Sequence, residues 1–373
     1  MAEGRAPATV LRSPVLFAAV AAHADPAAPL VWAADVAPRA FPVAVQRDGD
    51  GWRLLLQTDD ALSSLHVVGA ELRPEAARPG ALGDGGVLAL AGAPPGLALG
   101  ARPSAWFSGP ERGFVVWKES ESRVMTKAEL VRSSLHGDSS GRVPLRSRWV
   151  VGAVTPAAIA PVALPWAPAD VALDWVYGAV DPEGVPWVGQ LRSDHGSRSR
   201  SVEVFSIDAG VPTARGTLPL IGNTTLSGLL STAAGPVVVT TDFTAQPVPV
   251  TLTWLEPAGT PRATATTTVD GNVSSAVHAL TCGGLTWVVA APMAGVHHEV
   301  RVAGFDDQGT KRAEHVVYAA DEPVSPATAT SRVSLTPAFA CGGDRAAYTF
   351  VLPGNDQPAR PGRAVLVTWH AAP

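Results

Sequence analysis

The chain is poor in charge, in cysteine and in lysine. Charged residues make up 16% of its 373, the net charge is −5, and Lys118, Lys127 and Lys311 are its lysines. Duplex nucleic-acid binders draw most of their affinity from phosphate neutralisation, so a basic excess is their usual mark. Its absence argues against that class of partner. Two cysteines, Cys282 and Cys341, are too few for a disulfide framework or a four-ligand zinc site. No apolar run reaches 18 residues, so no membrane-spanning helix is expected. There is no Gly-x-Ser-x-Gly elbow, no phosphate-cradling glycine loop and no His-Glu-x-x-His pair. No cofactor and no metal are expected.

What the chain does have is punctuation. It carries 36 glycines and 34 prolines, most of them set between short apolar runs. That distribution marks turns, not a low-complexity tract. A glycine turn leading into an apolar strand recurs at Gly51, Gly113, Gly184, Gly235, Gly284 and Gly343. An alternating run precedes most of these turns, for example Phe41–Gln46, Val171–Ala179 and Arg332–Ala340. A third run follows about ten residues on: Leu65–Leu72, Arg123–Leu130, Ser201–Ile207, Val248–Leu255, Glu299–Phe305 and Ala364–Trp369. A fourth completes most units: Val87–Ala91, Val143–Val151, Ala214–Ile221, Ala263–Val269 and Ala313–Tyr318.

Alternation with turns every 8–12 residues is the pattern of an all-β fold. Four strands per unit of about 50 residues resemble the blades of a β-propeller, in which each twisted sheet buries its faces on its neighbours. The resemblance spans residues 38–96, 100–151, 170–222, 223–271, 272–321 and 331–373, a single domain of about six blades. The aromatics Trp52, Trp117, Trp187, Trp287 and Tyr348 recur near one strand position, where they are expected to fill the wedges between blades. The resemblance is to the superfold, since WD40, kelch and Asp-box signatures are not reproduced.

The last unit supplies only three strands, so the missing outer strand is expected from the N-terminus. Leu11-Arg12-Ser13 precedes Trp32 by the same distance as Leu145-Arg146-Ser147 precedes Trp166. That match assigns residues 8–20 as the closing strand, equivalent to residues 143–154, with residues 155–169 as a Pro/Ala-rich connection. A competing reading treats residues 1–24 as a signal peptide, with Arg5 and Arg12 before an apolar run and Ala22-His23-Ala24 as its cleavage site. The first reading implies a cytoplasmic protein, the second an exported one. A monomer is expected in either case. Cys282 and Cys341 each begin a Cys-Gly-Gly turn in adjacent units. Equivalent points of adjacent blades usually lie farther apart than the ~7 Å a bridge tolerates, so two separate small turn or core residues are expected.

Propeller loops joining strands 2 and 3, and strand 4 to the next blade, share one face, and loops on a rigid scaffold are where binding concentrates. On that face the most unusual segment is Arg192-Ser193-Asp194-His195-Gly196-Ser197-Arg198-Ser199-Arg200. Arginine forks grip carboxylate or phosphate, so Arg192, Arg198 and Arg200, with Asp194 and His195, are candidates for an anionic ligand or acidic protein partner. Trp166, on a Pro-rich connection, is a candidate anchor. Asp170 and Asp174 stand four apart at the start of an innermost strand. Side chains four apart on a strand share a sheet face, which is the arrangement a paired-acid hydrolase needs. Two functions follow. The leading one is a non-catalytic scaffold or recognition module working through this loop face. The alternative is a carbohydrate-active or other hydrolytic enzyme at the channel mouth, using Asp170, Asp174, Asp194 and His195.

Overall fold

In the computed structural model the described residues are 28–37, 40–57, 61–69, 71–74, 78–79, 88, 92–94, 96–97, 99–101, 103–108, 112–134, 141–269, 277–290, 298–320, 334–335, 339–352, 355–356 and 359–372. They form six antiparallel sheets of at least four strands each, the blades of a β-propeller. Blade 1 runs Phe41–Asp48, Gly51–Gln57, Ala61–Val68 and Glu71–Pro74 from inside to outside. Blade 2 runs Pro103–Ser108, Gly113–Val124, Arg142–Val154 and Ile159–Ala163. Blade 3 runs Val171–Val180, Pro186–Asp194, Ser199–Asp208 and Val211–Leu220. Blade 4 runs Thr225–Thr232, Gly235–Thr241, Val248–Leu255 and Pro261–Val269. Blade 5 runs Val277–Cys282, Leu285–Ala290, His298–Phe305 and Lys311–Ala320. Blade 6 runs Phe339–Gly342, Arg345–Leu352, Gly362–His370 and Leu30–Val36.

A lone four-stranded sheet cannot bury both faces, and each seam between blades solves this with its own apolar cluster. Trp187, Leu191 and Val204 of blade 3 meet Leu229, Val238 and Leu255 of blade 4. Trp254 and Leu252 of blade 4 meet Val288 and Phe305 of blade 5. Trp287 and Val302 of blade 5 meet Tyr348 and Trp369 of blade 6. Blade 6 packs on blade 1 through Ala347, Val351 and Leu366 against Trp52, Leu54 and Leu56. The recurrent aromatics Trp52, Trp117, Trp187, Trp287 and Tyr348 are all buried in these seams, as expected of wedge fillers. Each fully buried large side chain contributes roughly 1.5–3 kcal/mol of transfer free energy.

Three expectations from the sequence need correction. The first concerns the outer strand of blade 6. The N-terminal segment supplies it through Leu30–Val36, which pairs in register from Leu30↔Thr368 to Val36↔Gly362. Residues 8–20 lie outside the described residues. Their template was misplaced, because residues 143–154 belong to a third strand. Arg142–Val154 is flanked by Gly113–Val124 on one side and Ile159–Ala163 on the other. The equivalent place in blade 6 is held by Gly362–His370.

The second concerns the outer strands of blades 1 and 2. In blade 1 a tight turn at Gly69 sends the chain straight into Glu71–Pro74, so the fourth strand comes well before residues 87–91. Of those residues Leu88 is described, and it is buried in the seam with blade 2. In blade 2 the segment expected as a third strand, Arg123–Leu130, instead ends the second strand and starts a helix, Lys127–Ser134. Thr126 and Glu129 cap that helix reciprocally: the Thr126 amide donates to Glu129 Oε2 at 2.8 Å and the Glu129 amide to Thr126 Oγ1 at 3.4 Å. The supposed connection 155–169 contains the outer strand Ile159–Ala163.

The third concerns the cysteines. Cys282 and Cys341 form a disulfide with Cα atoms 5.3 Å apart, joining the strand 1–2 turns of blades 5 and 6. Glycine permits this approach. Gly283 has a positive φ of 60° and lies so close to the end of blade 6 that a Cβ there would sit 2.2 Å from the Ala371 carbonyl oxygen. A side chain at that turn would hold the blades, and the two sulfurs, apart.

Candidate functional site at the start of the innermost strand of blade 3

The innermost strands begin on the loop face, and in four blades they begin with the same irregularity. Blade 1 has a bulge between Pro42 and Ala44, blade 2 between Pro103 and Ala105, blade 3 between Leu173 and Val176, and blade 4 between Leu226 and Gly228. In each, two residues stand opposite one on the second strand. The pairs are Val43-Ala44, Ser104-Ala105, Asp174-Trp175 and Ser227-Gly228. The second residue is alanine, alanine or glycine in blades 1, 2 and 4, and it is buried. In blade 3 it is Trp175, and it is 51% exposed. Leaving about half an indole in water forgoes on the order of 2–3 kcal/mol of burial.

The first residue of the bulge has a repeated role. In blade 4 the Ser227 hydroxyl hydrogen-bonds the Thr241 hydroxyl. In blade 3 Asp174 takes the same place and accepts a hydrogen bond from the Ser193 hydroxyl, Oγ to Oδ2 2.7 Å. Blade 2 braces this bulge from the side. Lys118 Nζ donates to the Leu173 carbonyl oxygen at 2.9 Å and lies 5.6 Å from the centre of the Trp149 ring. Burial pushes the Lys118 ammonium below the ordinary lysine range, against the opposing pull of the Asp174 carboxylate. In the same seam, Nε1 of Trp149 and Oε1 of Gln190 are buried without a hydrogen-bond partner among the described residues.

The arginine-rich segment is a tight hairpin on the same face. Asp194 pairs with Ser199 across it, and Arg198 adopts a left-handed φ of 56°. Asp194 Oδ1 accepts from the Gly196 amide at 2.9 Å and the Ser197 amide at 3.0 Å, the Asx-type closure that short acidic side chains favour. Those amides hold its carboxyl below the usual carboxylate range. Arg192 Nη1 lies 2.9 Å from Glu203 Oε1, and Gln190 Nε2 donates to Glu203 Oε2 at 2.7 Å. The His195 amide donates to the Asp170 carbonyl at 2.9 Å, tying the hairpin to the strand start. The His195 and Arg198 side chains face solvent and that of Arg200 is half-buried.

Asp170 and Asp174 do not lie on one unbroken strand. Asp170 precedes it, and Asp174 is the first residue of the bulge. Trp166 sits elsewhere. Its ring is covered by the guanidinium carbons of Arg146 at 4.4 Å and Arg148 at 4.3 Å. Arg146 forms a two-point pair with Glu121, both contacts 2.7 Å, and Arg148 pairs with Glu119 at 2.7 Å. Strand alternation puts Arg148 on the same side as Val150, which packs toward blade 1, and opposite to Trp149, which packs toward blade 3. Trp166 is therefore separated from the blade 3 bulge by the blade 2 ribbon.

No protein-family profile matches the sequence, and no curated protein is similar to it in sequence. The likeness is to solved folds. A protein of unknown function from Dyadobacter fermentans superposes with a TM-score of 0.50 over 93% of this chain and 99% of its own, at 10% identity. The calcium-binding protein regucalcin from Agrobacterium tumefaciens superposes with a TM-score of 0.36 over 89% and 93%, at 10% identity. The polysaccharide lyase Uly1 gives 0.38 over 88% and 77%, at 11% identity. At such identities the likeness concerns the fold alone.

Among the described residues no group of three or more His, Cys, Asp or Glu is placed to share a metal ion, and no helix is long and apolar enough to cross a membrane. Sequence reasoning passed over Trp175. The signal was present in the innermost strands: Pro42-Val-Ala, Pro103-Ser-Ala, Leu173-Asp-Trp and Leu226-Ser-Gly align on their bulges, and one of the four breaks the small-residue rule.

Proposed function

We propose that this propeller is a non-catalytic recognition module whose contact surface is the loop face of blade 3, centred on Trp175. The carrying observation is the substitution of an exposed tryptophan for the buried small residue that three other blades place in the same bulge. The His195–Arg198 hairpin forms the rim, with His195, Arg198 and Arg200 as contacts and Arg192 and Asp194 as its braces. Trp166, stacked under two arginines, belongs to a neighbouring surface of blade 2. The hydrolytic alternative draws less support. It needs two carboxyl groups facing one substrate, and Asp194 is turned into its own hairpin, where Oδ1 accepts from two amides. The interblade disulfide favours an oxidising compartment over the cytoplasm.

A photo-reactive amino acid at position 175, with a control at exposed Val211 on the outer strand of the same blade, tests this reading in extracts of the source cells. A discrete adduct from position 175 and none from 211 is expected. Equal labelling from both positions contradicts it. So does turnover of chromogenic glycosides or esters that is abolished by replacing Asp170, Asp174, Asp194 and His195 with alanine.

A further inference from the structure

We infer that the ligand recognised at the blade 3 bulge is an uncharged carbohydrate, stacked on Trp175 and held through its hydroxyls by Asp174. The inference rests on the recognition reading above and deepens it.

The argument begins with charge. Lys118 Nζ sits on the carbonyl of Leu173, the residue before Asp174, and Arg192 is paired with Glu203. The strand start and the hairpin add Asp170, Asp194, Arg198 and Arg200. This stretch of blade 3 and its brace thus carry four cations and four anions, with no excess of either sign. An anionic ligand meets the Asp174 carboxylate, and a cationic ligand meets the Lys118 ammonium, so each sign of charge is opposed at the point of contact. A neutral ligand is opposed by neither.

The available groups then define its chemistry. The indole offers a flat apolar face, half open to solvent. Asp174 Oδ2 is taken by the Ser193 hydroxyl, which leaves Oδ1 an acceptor with no hydrogen bond to a described residue. An ionised carboxylate accepts only, so the ligand must donate. Hydroxyls donate without bringing a charge. A ligand that combines an apolar C–H face with hydroxyls on its edge is a pyranose ring. A plain apolar peptide side chain uses the indole and leaves the carboxylate without a donor. The bulge is also held rigidly from two sides, by Lys118 on Leu173 and by Ser193 on Asp174, so little ordering accompanies binding.

The test uses the full-length protein on an array of neutral gluco-, galacto-, xylo- and manno-oligosaccharides beside sulfated and uronic-acid glycans. Binding confined to neutral members is expected. Trp175→Ala is expected to weaken it about tenfold, with Trp175→Phe restoring part of the loss, and Asp174→Asn is expected to weaken it while far-ultraviolet circular dichroism stays unchanged. Preference for the acidic glycans overturns the inference. If no glycan binds while position 175 still cross-links a discrete protein, the carbohydrate inference fails and the recognition reading stands. If Trp175→Ala alters neither glycan binding nor cross-linking, both fail. Hydrolysis of a bound neutral glycan leaves the ligand class standing and removes the non-catalytic reading.

Discussion

Lys118 of blade 2 reaches across a seam to donate its ammonium to the Leu173 carbonyl of blade 3, Nζ to O 2.9 Å. The carbonyl belongs to the residue just before the bulge, where a strand loses a ladder partner. One blade therefore completes the hydrogen bonding of the irregularity that displays Trp175 on the next. Replacing the ammonium with an apolar chain of similar length leaves that carbonyl unpaired. Lys118→Met should destabilise the fold by about 1–2 kcal/mol in equilibrium urea unfolding. It should also speed amide exchange at Asp174 and Trp175 relative to the equivalent bulge at Ser227 and Gly228. Unchanged exchange at residues 174–175 contradicts the bracing role.

The Cys282–Cys341 bridge closes a loop of 59 residues. Chain-entropy reasoning gives such a loop about 4 kcal/mol of stabilisation. Calorimetry with and without a reductant checks it, with free-thiol counting to confirm reduction. A clear fall in the unfolding temperature is predicted. Two free thiols in the untreated native protein would show that the bridge is not formed.

His278 gives the fold a defined acid sensitivity. Its imidazole lies beside the rings of Phe339 and Tyr348 in the seam between blades 5 and 6, with centroids 6.1 and 5.8 Å away. Burial lowers its pKa from 6.5 to about 4. Below 6.5 the unfolded chain takes up a proton that the folded chain refuses until about 4. Stability is therefore whole above pH 6.5 and declines as pH falls through that window, by roughly 3 kcal/mol at most. Urea midpoints measured from pH 7 to pH 4 should fall for the natural protein and stay flatter for His278→Gln. Parallel declines would place the sensitivity elsewhere.

The legible and illegible parts of the molecule divide along physical lines. The six-fold repeat was readable because each blade carries the same local grammar of glycine turn and alternating strand. The wedge aromatics were readable because burial is imposed at the same point of every repeat. The disulfide was not, because it depends on how closely two turns of different blades approach, and that distance is set by Gly283 against Ala371. The outer strand of blade 6 was attributed to residues 8–20 through a short match to residues 143–154. Pairing partners, not composition, distinguish a third strand from a fourth. Trp175 was missed for a related reason. A bulge inserts one residue and reverses the facing of everything beyond it, and no single strand read alone announces a bulge. Comparison of four strand starts does.

The most direct measurement is the set of indole ¹⁵N–¹H signals from the 11 tryptophans, followed while the full-length protein is titrated with neutral oligosaccharides and with Trp175 assigned through Trp175→Phe. The account predicts that the Trp175 signal moves first and furthest, while buried Trp187, Trp254 and Trp287 stay in place. Saturable binding that leaves the Trp175 signal unmoved would contradict it.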